Sequence, residues 1–195
     1  MSQRLNVYGF DLGKIKSLFG SRDENALKEI ATSFNKLHFF SGSPDDFLEE
    51  HRVFETFQKI IMSDSFEEDS DNEPYLYDIM FFLSRYRQDN FATSLLDWKI
   101  NYLYGVIEAI SGKIDVGIYR LLNLLLTGRN ISGEWLDGAE QIYGYFTKEE
   151  VKSLLDYLRS NFSLFEPDDS GFWGNLEEAL AEVAEKKCDL WFNAI

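Results

Sequence analysis

The side chains able to move protons or attack carbon are few in this sequence, and they lie far apart. His38 and His51 are the two histidines among 195 residues, and Cys188 is the one cysteine. A hydroxyl nucleophile needs a base within hydrogen-bond reach, and no G-x-S-x-G turn is present to display one. His51 follows Glu49 and Glu50, and the position four residues on holds Glu55 where a zinc helix would carry a second histidine; it reads as a surface histidine among acids. His38 lies between Leu37 and Phe39 and reads as a packing residue. Cys188 follows Glu185-Lys186-Lys187. The lysines would lower its pKa, but its place at the head of an apolar terminal segment is that of a small buried hydrophobe.

The charged and glycine-rich motifs fail on spacing. Asp69, Asp71 and Glu73 match the first three ligand positions of a calcium loop, but Pro74 stands where the sharp turn needs glycine, and Met80 stands where the loop needs glutamate. Gly128 to Gly133 has the outline of a phosphate loop without the closing Lys-Ser or Lys-Thr, and no G-x-G-x-x-G occurs. Asp45/Asp46, Glu49/Glu50 and Glu149/Glu150 fall in expected first turns or on exposed helix faces, where acids suit the helix dipole. No catalytic residue, no metal ligand and no cofactor is expected, and the sequence leans away from an enzyme.

Charge points to the partners. Thirty-four acidic residues against nineteen basic ones give a net charge of −15. Binding a phosphate backbone requires Lys and Arg to displace its counterions, so nucleic acid is excluded. An anionic membrane surface is excluded for the same reason. A basic protein is favoured, because complementary fields speed encounter. Hydrophobic residues make up 45% of the chain and aromatics 16%, which supports a packed core and excludes disorder. No run reaches the roughly 18 apolar residues of a membrane span, and no secretory signal is visible behind the single arginine of MSQRLNVYGF. With one cysteine, a reducing cytoplasm is the expected compartment.

The elements that must position these residues follow from periodicity. Arg4 to Phe10 alternates as a strand, and Asp11 caps a short helix through Leu18. Ser21-Arg22-Asp23-Glu24 reads as a capping box ahead of Leu27, Ile30, Ala31 and Phe34. Ser43-Pro44-Asp45-Asp46 starts a helix whose stripe is Phe47, Phe54, Phe57, Ile60 and Ile61. Residues 64 to 73 form an acidic loop, and Pro74 opens a helix to about Tyr86. Leu95 to Ile110 is helical. Val116 to Thr127 is apolar nearly all round and is expected to be buried on most sides. Gly128 to Gly144 is punctuated by glycine into turns. Thr147 opens a second capping box and a helix to about Ser160. Phe162 to Gly174 is a loop, Asn175 to Lys187 an amphipathic helix, and Cys188 to Ile195 a strand able to pair with the first. The expectation is an α+β fold: one mostly helical domain over residues 1–195, with a small sheet that includes the N- and C-terminal strands.

The run from Leu121 to Leu158, LLNLLLTGRNISGEWLDGAEQIYGYFTKEEVKSLLDYL, carries a resemblance. An apolar helix ends in Leu126-Thr127-Gly128, a glycine-rich stretch follows, and Tyr145-Phe146-Thr147-Lys148-Glu149-Glu150-Val151 leads the next helix. That order, with the opening strand and helices and the closing helix and strand, resembles the YfbM-like family of uncharacterised bacterial domains. The acidic loop and the aromatic segments from Tyr75 to Tyr104 depart from it. The resemblance implies an α+β fold and a cytoplasmic bacterial protein. It transfers no catalytic residue, and it implies an immunity protein beside a toxin by analogy alone.

Two readings of function result. The first is an acidic interaction module, in the form of an immunity protein that neutralises a basic toxin, with Trp135, Asp137, Tyr143 and the acidic loop as its surface. The second is a small-molecule binder or enzyme with a pocket in the 128–144 stretch, where Arg129 holds an anion beside Trp135 or Tyr143.

Overall fold

The computed structural model describes residues 4–37, 54–62, 98–130, 142–165 and 171–194. The chain divides into two compact units, Asp11–Gln88 and a second made of Met1–Phe10 with Asp89–Ile195. The fold is α+β, with the N- and C-terminal strands in its sheet.

In the Asp11–Gln88 unit, α1 (Leu12–Lys16) starts where the Asp11 carboxylate accepts the Lys14 amide at 2.9 Å. The next helix, α2 (Glu24–Leu37), starts two residues later than the Ser21 box suggests. Arg22 has a φ of +55°, outside the helical region. Asp23 therefore becomes the cap, accepting the amides of Asn25 at 2.9 Å and Ala26 at 3.0 Å. The turn between the helices is tied down by the amides of Gly20 and Arg22, which donate to the carbonyls of Ile60 and Ile61 at 2.7 and 2.8 Å. Those carbonyls belong to α3 (residues 54–62), which buries Phe57, Ile60 and Ile61 as its periodicity requires. The expected start of that helix at Ser43, the acidic loop and the helix from Pro74 lie outside the described residues.

The second unit holds a four-stranded antiparallel sheet. Its strands are β1 (Arg4–Phe10), β2 (Trp98–Lys99), β3 (Tyr143–Phe146) and β4 (Asp189–Ala194), in the order β2-β1-β4-β3. The two ends of the chain thus form the sheet's centre, with Val7 opposite Phe192 and Tyr8 opposite Trp191. The expected helix from Leu95 is corrected here: Trp98 and Lys99 pair with Leu5 and Arg4 as an edge strand, and helix begins only at Ile100. The strand β3 was also not foreseen. Its four residues are all buried, so no polar alternation marks it.

Four helices complete this unit among the described residues: α4 (Ile100–Glu108), α5 (Val116–Thr127), α6 (Lys148–Ser160) and α7 (Phe172–Glu185). One face of the sheet, through Leu5, Val7, Phe146, Leu190 and Phe192, shares a hydrophobic core with Leu122, Leu154, Leu158, Leu176 and Leu180. Removing that apolar surface from water is the main drive to fold. The expectation that α5 is buried on most sides holds for its second half only, since Val116 is 65% exposed. Its start is fixed by Asp115, which accepts the amides of Gly117 and Ile118.

The stretch from Phe162 to Gly174 is not a simple loop. Phe162–Leu164 forms a 3-10 turn, and α7 begins at Phe172 rather than Asn175. Gly171 and Gly174 look like turn residues in sequence, but burial of Phe172 and Trp173 carries the helix through Gly174. Gly171 sits at a turn, with a φ of +76° that favours glycine.

Candidate functional site

The described ends of the 128–144 stretch meet at the start of α6. Gly128 terminates α5 at a positive φ, and the Arg129 amide donates to the Tyr143 carbonyl at 2.8 Å. Gly144 makes that approach possible: a Cβ there would lie 2.6 Å from the Phe192 ring and 2.8 Å from the Arg129 nitrogen. Thr147 then caps α6. Its hydroxyl accepts the Glu150 amide at 3.2 Å, and Glu150 Oε2 accepts the Thr147 amide at 2.8 Å, the reciprocal box expected from the sequence. A second carboxylate supports this helix start, as Asp189 of β4 accepts the Lys148 amide at 2.8 Å.

Glu150 has a further task. Arg129 donates to its two carboxylate oxygens at 2.9 and 2.7 Å, the fork-on-fork geometry of a strong charge-assisted pair. The same guanidinium donates to the Tyr145 carbonyl and lies 4.0 Å above the Tyr145 ring. Burial pushes the Glu150 carboxyl up, but the hydrogen bonds from Arg129 and Thr147 reverse this, leaving the pKa below its ordinary value of 4.5. The anion-binding role expected of Arg129 therefore meets a guanidinium committed to Glu150 and Tyr145, in a residue only 9% exposed.

This arrangement positions rather than reacts. It locks the end of α5, β3 and the start of α6 together through one ion pair. The face of the sheet opposite the core of Leu5, Val7 and Phe192 is aromatic and buried: Phe10, Tyr143 and Tyr145 surround Trp191, with Tyr143 5.6 Å and Phe10 6.0 Å from it. Two buried N–H groups, Arg129 Nε and Trp191 Nε1, donate to nothing among the described residues.

Of the residues singled out from sequence, Arg129 and Tyr143 are brought together through the backbone hydrogen bond, with Tyr143 3% exposed. Trp135, Asp137, His38, His51 and residues 64–73 lie outside the described residues. Cys188 is half-buried, and its thiol donates to the Val183 carbonyl at 3.6 Å. Burial and the neighbouring Asp189 raise its pKa, outweighing the lysine effect anticipated from the sequence. Sequence reasoning missed Tyr145 and the second role of Glu150. The capping box marked Glu150, but its partner lies 21 residues away, beyond any local pattern.

Elsewhere on this unit Tyr104, Val116 and Phe162 are 61%, 65% and 43% exposed. Among the described residues, no helix is long and apolar enough to cross a membrane, and no group of three or more His, Cys, Asp or Glu side chains could hold a metal ion. Comparison with curated proteins and with solved structures gives no match. One family model runs through both units, matching residues 1–194. The chain thus belongs to the family described as a domain of unknown function, DUF7691.

Proposed function

We propose that this chain is a cytoplasmic, acidic protein-interaction module that docks a basic protein, with toxin neutralisation by an immunity protein as the specific form, in line with its resemblance to the YfbM-like family. The observation that carries the reading is the charge of −15. Internal ion pairs leave it intact. Arg129 with Glu150, Arg159 with Glu177, Lys152 with Asp156 and Lys186 with Glu182 each consume one charge of either sign. The whole excess of carboxylates is left to act on whatever approaches. Such a field attracts a cationic surface and repels nucleic acid. Exposed Tyr104 and Phe162 supply rings of the kind that anchor interfaces once encounter has occurred.

The test is capture from the native host with the full chain as bait. The expected product is a stoichiometric complex with one protein of net positive charge that comes apart in high salt. A partner of net negative charge, or no stable partner, contradicts the proposal.

A further inference from the structure

The second unit contains a cleft of about 570 Å³, lined by residues of α4, the turn that follows it, the 3-10 segment and the start of α7. Its size lies within the roughly 300–1,000 Å³ of small-molecule sites. The apolar part of its lining includes Ile110, Phe165 and Trp173, each 5% exposed or less, with the Phe165 and Trp173 rings 4.8 Å apart.

Gly105 of α4 and Ala109, which caps that helix, also line the cleft one helical turn apart. Glycine inside a helix is destabilising relative to alanine. At Gly105 no positive φ requires it, and among the described residues nothing stands within 4 Å of where a Cβ would go. Gly105 thus leaves the exposed helix backbone open to the cleft.

The polar lining is biased to one kind of chemistry. Lys113 and Asn101 both line the cleft, and the Lys113 ammonium forms no ion pair among the described residues. Trp173 is 4% exposed, and its ring forms the floor of the cleft with that of Phe165. An ammonium beside an aromatic floor calls for an apolar molecule that ends in an anionic acceptor. Among the described residues, no carboxylate lines the cleft.

We infer that this cleft binds a small organic carboxylate. Its ring or alkyl body lies over Gly105 and Ala109 against Phe165 and Trp173, and its carboxylate faces Lys113. The inference is independent of the docking of a basic protein, since it concerns a local cation and not the net field.

Calorimetric titration of the full chain with 4-phenylbutyrate and decanoate, beside 4-phenylbutyramide, tests it. At least one carboxylate is expected to saturate with a Kd below about 1 mM, with the amide weaker by roughly tenfold, as a lost charge-assisted hydrogen bond requires. Lys113→Met should reduce the carboxylate to the affinity of the amide. Gly105→Leu, which fills open space on the helix, should weaken binding at least about tenfold; Ala109→Leu serves the same purpose should the first variant lose its cooperative unfolding. The amide-region resonance of the Trp173 indole N–H, identified by its loss in Trp173→Phe, should move on titration. Failure of both carboxylates to saturate, equal affinity for the amide, or undiminished binding to the plugged cleft overturns the inference.

Discussion

Arg129 is the residue on which the local structure turns, and its partner shows why. Removing one member of a buried ion pair leaves the other charge without compensation. Arg129→Met is therefore expected to destabilise the protein by about 2–3 kcal/mol, a figure at the low end for buried pairs because Glu150 keeps some contact with water. Adding Glu150→Gln should recover part of that loss, so that the double variant costs less than the two single changes combined. Urea unfolding of the four proteins measures this, and strict additivity would refute the coupling. The pair also sets a pH dependence. The Glu150 carboxyl lies below its ordinary 4.5 in the folded protein, so the folded form binds fewer protons than the unfolded form. Its contribution is complete above that ordinary value and is lost as pH falls through the lowered one. Stability of the wild type should then fall more steeply with acid than that of Glu150→Gln, and parallel curves below about pH 4.5 would exclude the effect.

Among the elements, those with strong local signals were legible in the sequence, and those defined by distant partners were not. The Thr147–Glu150 box, the Leu176-Leu180-Val183 face of α7 and the apolar terminal segment that becomes β4 all announce themselves within one or two helical turns or a few strand residues. β2 is two residues long and exists only through its pairing with Leu5 and Arg4. β3 is buried along its whole length, so it lacks the alternation that marks a half-exposed strand. The first turn of α7 was hidden because Gly171 and Gly174 suggest a loop, while the burial of Phe172 and Trp173 decides otherwise. At the candidate site, the capping role of Glu150 could be read from spacing, but its pairing with Arg129 is a product of the tertiary fold. Gly144 illustrates the same dependence. In sequence it resembles another turn glycine; in the structure a methyl group there meets the Phe192 ring and the Arg129 backbone nitrogen. Gly144→Ala should cost about 1–3 kcal/mol by overpacking, whereas Gly112→Ala, with nothing within 4 Å of the added carbon, should stay within about 0.5 kcal/mol of the wild type. Equal melting temperatures for these two variants would show that the Gly144 contact is not tight.

For the molecule as a whole, the closing of the sheet by the two chain ends has a direct consequence. β4 lies between β1 and β3, and every residue from Asp189 to Ala194 is 6% exposed or less. Ending the chain at Cys188 removes the shared neighbour of both strands, and thermal unfolding of that truncated form should lose its cooperative transition; a retained sharp transition would show that the sheet is dispensable. The same end-to-end pairing joins residues nearly the whole chain apart, which makes folding of this unit dependent on long-range contact. The net charge of −15 acts at this scale too, and it bears the functional account. The measurement that tests that account most directly is the association rate of the full chain with its captured basic partner, followed by stopped-flow fluorescence from about 20 to about 500 mM NaCl, a range over which the screening length shrinks several-fold. Docking driven by the acidic field predicts a rate that falls at least about tenfold across that range. A rate that stays level or rises with salt would contradict it.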